Sequence, residues 1–338
     1  MKMVKRIFLI LLCIMFVGSM STIVFSKVKA DQNETIELKL SHGQAESSLV
    51  SKSVDKLTQK LEADKDMKMD LKIYPSGVLG SEKDMVELVK AGVLDMAKVS
   101  ATALGQFDDY YSIFALPYVF TGVEHYYNAM ENSEAIKEIF NMDKDNGFMA
   151  IGWYASGARN IYTKEEGPTE TPADLKGKKL RVQESSTSMS MIEYMGGAPV
   201  PMTGSETYTA LQQNVIDGSE NTELALTVDK HGELVSSYTY TEHQYSPDIY
   251  IISTEAWNKL SKVQQDFLVK SLKDLNEDYK GIYKDMVADA KVEAQAMGVK
   301  FYNIDKAAFI EAVQPMHKQF KAKGGNYSKF YDDIQKYK

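Results

Sequence analysis

At 338 residues and a formal charge of −8, the chain is long enough for two domains, and an acidic balance without basic clusters argues against nucleic acid as a partner. A single cysteine, Cys13, leaves no disulfide scaffold to build.

Residues 1–30 read as an export signal. Lys2, Lys5 and Arg6 form a basic start, residues 7–17 an unbroken apolar run, and Val28-Lys29-Ala30 a small-residue cleavage pattern before Asp31. The run falls short of the roughly 20 residues a bilayer span needs, although continuation through Gly18 and Ser21 to Phe25 would leave an uncleaved anchor. Cys13 sits inside the run rather than at its end, which does not suit lipid attachment. Removal of Lys2, Lys5, Arg6, Lys27 and Lys29, with no anion among these thirty residues, moves the formal charge from −8 to −13. It also leaves no cysteine to act as a nucleophile. No second long apolar segment follows, so the mature protein is expected to be soluble outside the cytoplasmic membrane.

The mature chain opens with an alternating strand at residues 36–40 and the polar loop Ser41-His42-Gly43-Gln44. Val50, Val54, Leu57 and Leu61 then share one helical face. Residues 69–74 alternate as a second strand, and Ser81 is placed to cap a helix through Met85, Leu88 and Val89. A strand around 96–99 completes a strand, helix, strand, helix, strand order that predicts an α/β layer with largely parallel pairing. Residues 113–120 form a buried apolar run broken by Pro117, and 125–140 read as one helix. The acidic stretch 143–147 resembles the start of a calcium loop, but its glycine comes one position early and the closing Glu is missing, so it reads as a surface turn. Residues 148–153 form the next strand, and 154–160, with Gly157, look like a crossover into a second α/β unit.

Residues 171–177 read as a short helix and turn, followed by a strand ending in Leu180-Arg181-Val182. A Met-rich helical run, a Gly-Pro turn at 196–201, an amphipathic helix and the polar knot Asp217-Gly218-Ser219-Glu220-Asn221 come next. A helix through Leu224, Leu226 and Val228 leads to an extended segment at 238–245. Residues 249–253 are a near-continuous apolar strand, as expected when both faces are covered. Ser261 and Gln264 make a capping-box pattern. From there, apolar residues at intervals of three and four run to Met297, with Gly298 as the stop. Such a helix would be roughly 55 Å long and should cross both domains. A further strand-like segment and a helix with Phe309, Ile310 and Val313 close the chain.

Enzyme signatures are missing: there is no GxSxG, HExxH, phosphate loop or GxGxxG in a strand-to-helix setting. The five histidines are scattered without metal-ligand spacing, and no cofactor is expected. Arg181 at a strand end and Arg159 at the crossover carry the functional signal, because the planar guanidinium fork matches a carboxylate with two parallel hydrogen bonds. Ligands of α/β proteins bind at the carboxyl ends of strands. The plain alternative for each Arg is an ion pair with a nearby carboxylate, and Glu220 and Asn221 suit helix capping as well as ligand contact.

The order of motifs resembles the extracytoplasmic solute-binding proteins of TRAP transporters, the DctP type, over essentially the whole mature chain. The matching stretches are YPSGVLGSEKDMVELVKAGVLDM (74–96), FALPYVF (114–120), GARNIYT (157–163), DLKGKKLRV (174–182), GGAPVPMTGSETYTALQQNVIDGSEN (196–221) and the long helix 261–298. The resemblance implies an α/β, two-lobed fold of the periplasmic-binding-protein type, with mixed sheets flanked by helices and a long helix spanning both lobes. It places lobe I at residues 31–156 plus about 247–285, and lobe II at 157–246 plus about 286–338. It implies that the protein is not an enzyme and that a small-molecule organic acid is enclosed as the lobes close. The loaded protein would deliver that acid to a small and a large TRAP membrane subunit.

By the same resemblance Arg181 pairs with the substrate carboxylate, and Arg159 and Asn221 also contact ligand. His42, Gln44, Ser100 and Glu82 line the other lobe, and the usual Pro after the LRV strand is Gln183 here, which reshapes that wall. Residues 220–248 resemble the branch associated with sugar acids such as hexuronates and aldonates. The hydroxyls of such a ligand would find partners in Glu82, Glu220, Asn221, His243 and Gln244. A C4-dicarboxylate or keto acid is the alternative ligand, and an exported carbohydrate-active hydrolase the rival of another class.

Overall fold

The computed structural model describes residues 35–46 and 48–338; the export-signal reading of residues 1–30 lies outside them. Among the described residues no helix is long and apolar enough to cross a membrane.

Eleven strands are described: β1 (Ile36–His42), β2 (Met69–Tyr74), β3 (Met96–Ser100), β4 (Phe148–Tyr154), β5 (Arg159–Thr163), β6 (Lys179–Val182), β7 (Ala198–Pro201), β8 (Gly218–Asn221), β9 (Ser237–Gln244), β10 (Asp248–Ser253) and β11 (Lys300–Asn303). They form two mixed sheets, ordered β2-β1-β3-β10-β4 and β11-β9-β5-β8-β6-β7. β1 pairs in parallel with β2 and β3, whereas β10 runs antiparallel between β3 and β4. In the second sheet β6 is parallel to β7 and β8, and β5 is antiparallel to β8 and β9.

Helices cover the first sheet as α1 (Leu49–Ala63), α2 (Glu82–Lys90), α3 (Ala101–Leu104), α4 (Val123–Asn132) and α5 (Glu134–Met142). Beside the second sheet lie α6 (Ser186–Tyr194), α7 (Gly204–Gln212) and α8 (Leu224–Thr227). The chain then runs through α9 (Thr254–Lys259), the 35-residue α10 (Lys262–Ala296), α11 (Ala307–Ala312), α12 (Gln314–Ala322) and α13 (Tyr327–Ile334). The caps anticipated from sequence form as reciprocal pairs. Ser81 Oγ accepts from Asp84 N while Asp84 accepts from Ser81 N, and Ser261 and Gln264 do the same at the start of α10. Gly298, at φ 101°, ends that helix, which is about 52 Å long at 1.5 Å per residue.

α10 is seated in two cores. Leu268, Leu272, Leu275 and Tyr279 pack with Leu38, Leu40 and Tyr250 of the first sheet, and Ala294 packs with Tyr162 and Tyr238 of the second and with Leu226 of α8. Between these ends it holds the β4–β5 crossover: Ala155 N–H donates to Asn276 Oδ1 at 2.8 Å and Gly157 N–H to Tyr283 Oη at 2.9 Å.

Three strands depart from the sequence reading. Arg159 and Asn160, read within the crossover 154–160, begin β5, and residues 198–201 and 218–221, read as turn and polar knot, are β7 and β8. β7 accommodates Pro199 and Pro201 because it is an edge strand. The helix expected over 125–140 is two helices. Ser133 breaks it by capping α5 through Ile136 N and donating to Asp333 Oδ2 at 2.7 Å. The stretch read as an acidic surface turn is a 3-10 turn in which Asp143 is buried and accepts from Asn146.

Gly218 is needed where β8 threads between β5 and β6. A Cβ there would lie 2.3 Å from Tyr162 O and 3.0 Å from Thr163 Cα, and neither backbone atom has room to yield. Gly218→Ala should lower stability by about 1–3 kcal/mol through overpacking, read as a lower urea midpoint at unchanged m-value.

Candidate ligand-binding cleft

The two sheets present polar strand edges to one cleft of about 660 Å³. From the first sheet come the loop after β1 (Gln44), the end of β3 (Ser100), the end of β4 (Tyr154) and the start of β10 (Asp248). From the second come Arg181 near the end of β6, Asn221 at the end of β8 and Arg159 at the start of β5. The antiparallel direction of β5 puts its first residue on the same edge as the last residues of its neighbours. Strand ends concentrate polar side chains where the pleat stops and ligand can enter.

Arg159 is occupied by protein. Its Nε donates to Glu220 Oε2 at 2.6 Å and Nη2 to Glu220 Oε1 at 2.8 Å, a two-bond fork, while Nη1 reaches Asn221 Oδ1 at 3.0 Å. A fourth guanidinium bond goes from Nη2 to the Glu220 carbonyl at 2.8 Å. His243 Nε2 approaches Glu220 Oε2 at 3.3 Å, and its Nδ1 is held by Thr241 Oγ1 at 2.9 Å. Burial alone would raise the Glu220 carboxyl. The Arg159 charge, the His243 hydrogen bond and the Arg159 hydrogen bonds outweigh it and hold the carboxyl at about 2. Burial pushes the His243 imidazole down, against the opposing pull of its Glu220 contact.

Arg181 is placed differently. Although only 5% exposed, its Nε and Nη2 both donate to Met202 O, at 3.1 and 2.9 Å, and it has no ion pair among the described residues. Of the five N–H groups of a guanidinium, the Nη1 pair and the outer hydrogen of Nη2 are left toward the cleft. Burial, followed by the Arg159 charge, lowers its pKa from the usual guanidinium range, and an anion against the open fork would offset both by favouring the charged form.

The facing wall is a chain of polar groups. Ser100 N and Oγ donate to the two oxygens of Glu82, at 3.0 and 2.6 Å, and Gln183 Nε2 reaches across from the β6 side to Ser100 Oγ at 3.1 Å. Burial, followed by the Asp248 charge, raises the Glu82 carboxyl above the ordinary carboxylate range. Lys98, 1% exposed, pairs with Asp248 and donates to Gln44 Oε1 at 3.1 Å. His42 sits behind this group with burial, then Lys98, pushing its imidazole down to about 4.

Six of the residues singled out by sequence line the cleft: Arg181, Arg159, Asn221, Glu82, Gln44 and Ser100. Glu220, His243, His42 and Gln244 lie behind its surface, where Gln244 Nε2 faces Thr102 and the Phe114 carbonyl. The sequence reading missed Lys98, Asp248, Tyr279 and Tyr283. A lone lysine in the apolar strand MAKVS, needing an anionic partner once buried, was the available signal for the first two. The tyrosines sit among core-spaced residues of α10 and carried none.

The model of bacterial extracellular solute-binding protein family 7, DctP, matches residues 40–323. The chain belongs to this family. Its homologues are TRAP solute-binding proteins. Protein YiiZ of Salmonella typhimurium is 39% identical over 269 residues, covering 79% of this chain and 82% of its own. A TRAP periplasmic solute-binding protein of Anaerococcus prevotii, solved with bound α/β-D-glucuronate, is 36% identical and covers 89% of this chain and 97% of its own, with a TM-score of 0.85. One from Sulfitobacter sp., solved with β-D-galacturonate, is 26% identical with a TM-score of 0.84, covering 89% of this chain and all of its own.

Glu220 carries a pH dependence whose sign follows from its depressed pKa. Its contribution to stability is present above the ordinary value of 4.5 and is lost as pH falls toward about 2. Glu220→Gln should flatten the fall in unfolding free energy over that window, measured by urea melts at stepped pH. At neutral pH it should also cost about 3–5 kcal/mol, because Arg159 loses its buried counter-charge.

Proposed function

We propose that this protein captures a sugar acid, a hexuronate in the first instance, outside the cytoplasmic membrane and hands it to the membrane subunits of a TRAP transporter. The observation that carries this reading is the charge balance of the cleft. Arg159 is neutralised by Glu220, and Arg181 is left with an open fork and no carboxylate within ion-pair distance among the described residues, the Glu82 and Asp229 charges acting on it only from further off. One carboxylate completes the set. It would accept two parallel hydrogen bonds from Arg181, with the Asn221 side chain alongside, while Glu82, Gln44 and Tyr283 offer partners for hydroxyls. Relatives solved with glucuronate and galacturonate support the choice of ligand class.

A second carboxylate has a poorer reception. Lys98, behind the cleft wall, is already paired with Asp248, and Lys83, which does line the cleft, is exposed. This favours a monocarboxylate over a C4-dicarboxylate. In the proposed cycle the cleft opens and closes by relative movement of the two sheets about the crossovers, and the closed, loaded form is what the membrane subunits recognise. Export through the N-terminal segment belongs to the same reading.

The test is a thermal-shift and calorimetric panel of D-glucuronate, D-galacturonate, aldonates, C4-dicarboxylates and keto acids. Binding at a hundredfold excess over Kd adds about 2.7 kcal/mol of stability, so a hexuronate should raise the melting midpoint. Arg181→Ala should weaken that binding by about 2–5 kcal/mol. A response to dicarboxylates alone would replace the ligand class, and no response to any acid would remove the carboxylate fork from the mechanism.

A further inference from the structure

Gln183 follows β6 directly, two residues beyond Arg181, and both side chains line the cleft. Residues two apart on an extended chain project to one face and stand about 7 Å apart along it. A pyranose ring is of similar length, so a sugar acid with its carboxylate on Arg181 brings its ring hydroxyls alongside Gln183. The side chain has one hydrogen bond among the described residues, from Nε2 to Ser100 Oγ at 3.1 Å. Ser100 Oγ in turn donates to Glu82 Oε2 at 2.6 Å and accepts from Ala103 N at 3.2 Å. One Nε2 hydrogen is therefore committed to the opposite wall, and Oε1, an acceptor with two lone pairs, has no donor among the described residues.

We propose that Gln183 is a specificity residue: anchored across the cleft through Ser100 and Glu82, it uses Oε1 to accept a hydrogen bond from a ring hydroxyl of the sugar acid held on Arg181. The anchoring matters because an amide free to rotate would offer donor or acceptor equally. With one Nε2 hydrogen tied to Ser100 the amide is held in one orientation, so Oε1 has a fixed direction and asks for a hydroxyl donor at that point. An acid too short to reach it gains the Arg181 contact and nothing from Gln183.

This inference rests on the hexuronate reading above, and a mutant cycle separates the two. Affinities of wild type, Gln183→Ala and Gln183→Leu would be measured by calorimetry for D-glucuronate and its 2-, 3- and 4-deoxy analogues, with melting midpoints of the unliganded proteins as a folding control. Gln183→Ala should weaken D-glucuronate roughly ten-fold. For one deoxy analogue the loss should be non-additive: the missing hydroxyl costs the wild type affinity and costs the variant nothing further. Undiminished glucuronate binding in both variants, or losses that add for all three analogues, would overturn the assignment while leaving the hexuronate reading in place. Failure of wild type to bind any hexuronate would overturn both.

Discussion

The fork between Arg159 and Glu220 is the interaction on which the cleft depends. Without it, two guanidinium groups on strands that flank β8 would share one buried site with no counter-charge between them. A buried charge stripped of its partner is strongly destabilising. With the fork in place, Glu220 is fully committed, Arg159 becomes a scaffold for Asn221, and the positive charge of the site is concentrated on Arg181. His243 and Thr241 extend the same order into β9, so the carboxylate that fixes the site is itself fixed from behind. The arrangement also explains why a backbone carbonyl, Met202 O, orients Arg181. A carbonyl aims the fork without neutralising it.

The first sheet answers with polarity and little free charge. Its buried lysine and aspartate cancel, and the Glu82 carboxyl is held by the backbone and hydroxyl of a single serine. The two walls therefore divide the work of recognition: one reads an anion, and the other reads groups that both donate and accept.

Much of the frame is legible in the sequence because its cues are local. β1 and β2 announce themselves by alternation, and the helices at Ser81 and Ser261 by side chains that bond within three residues. Arg181 stands out as a guanidinium at the end of an apolar strand. The cues fail where the deciding partner is distant in the chain. Residues 218–221 look like a polar knot until Ile161 is set opposite Glu220 and Leu180 opposite Gly218. Only that register shows that Glu220 faces Arg159 rather than the cleft. Lys98 needed Asp248, 150 residues later, to give it meaning. Ser133 illustrates the reverse: helical periodicity ran through it, but its bond to Asp333, 200 residues away, favoured a cap and a break.

α10 carries a mechanical consequence. A rod with one end wedged into each core and its middle clasped to a crossover fixes the distance between the two sheets but leaves their angle adjustable. In the proposed closure about the crossovers, which α10 clasps, such a linkage would serve as an axle. Rotation about it would widen the rim beside Gly80 and Ser205 far more than the base beside Tyr279 and Tyr283, since displacement grows with distance from the axis. Solute would then enter and leave through a single mouth, and the tyrosine-lined base would keep its shape while the rim swings.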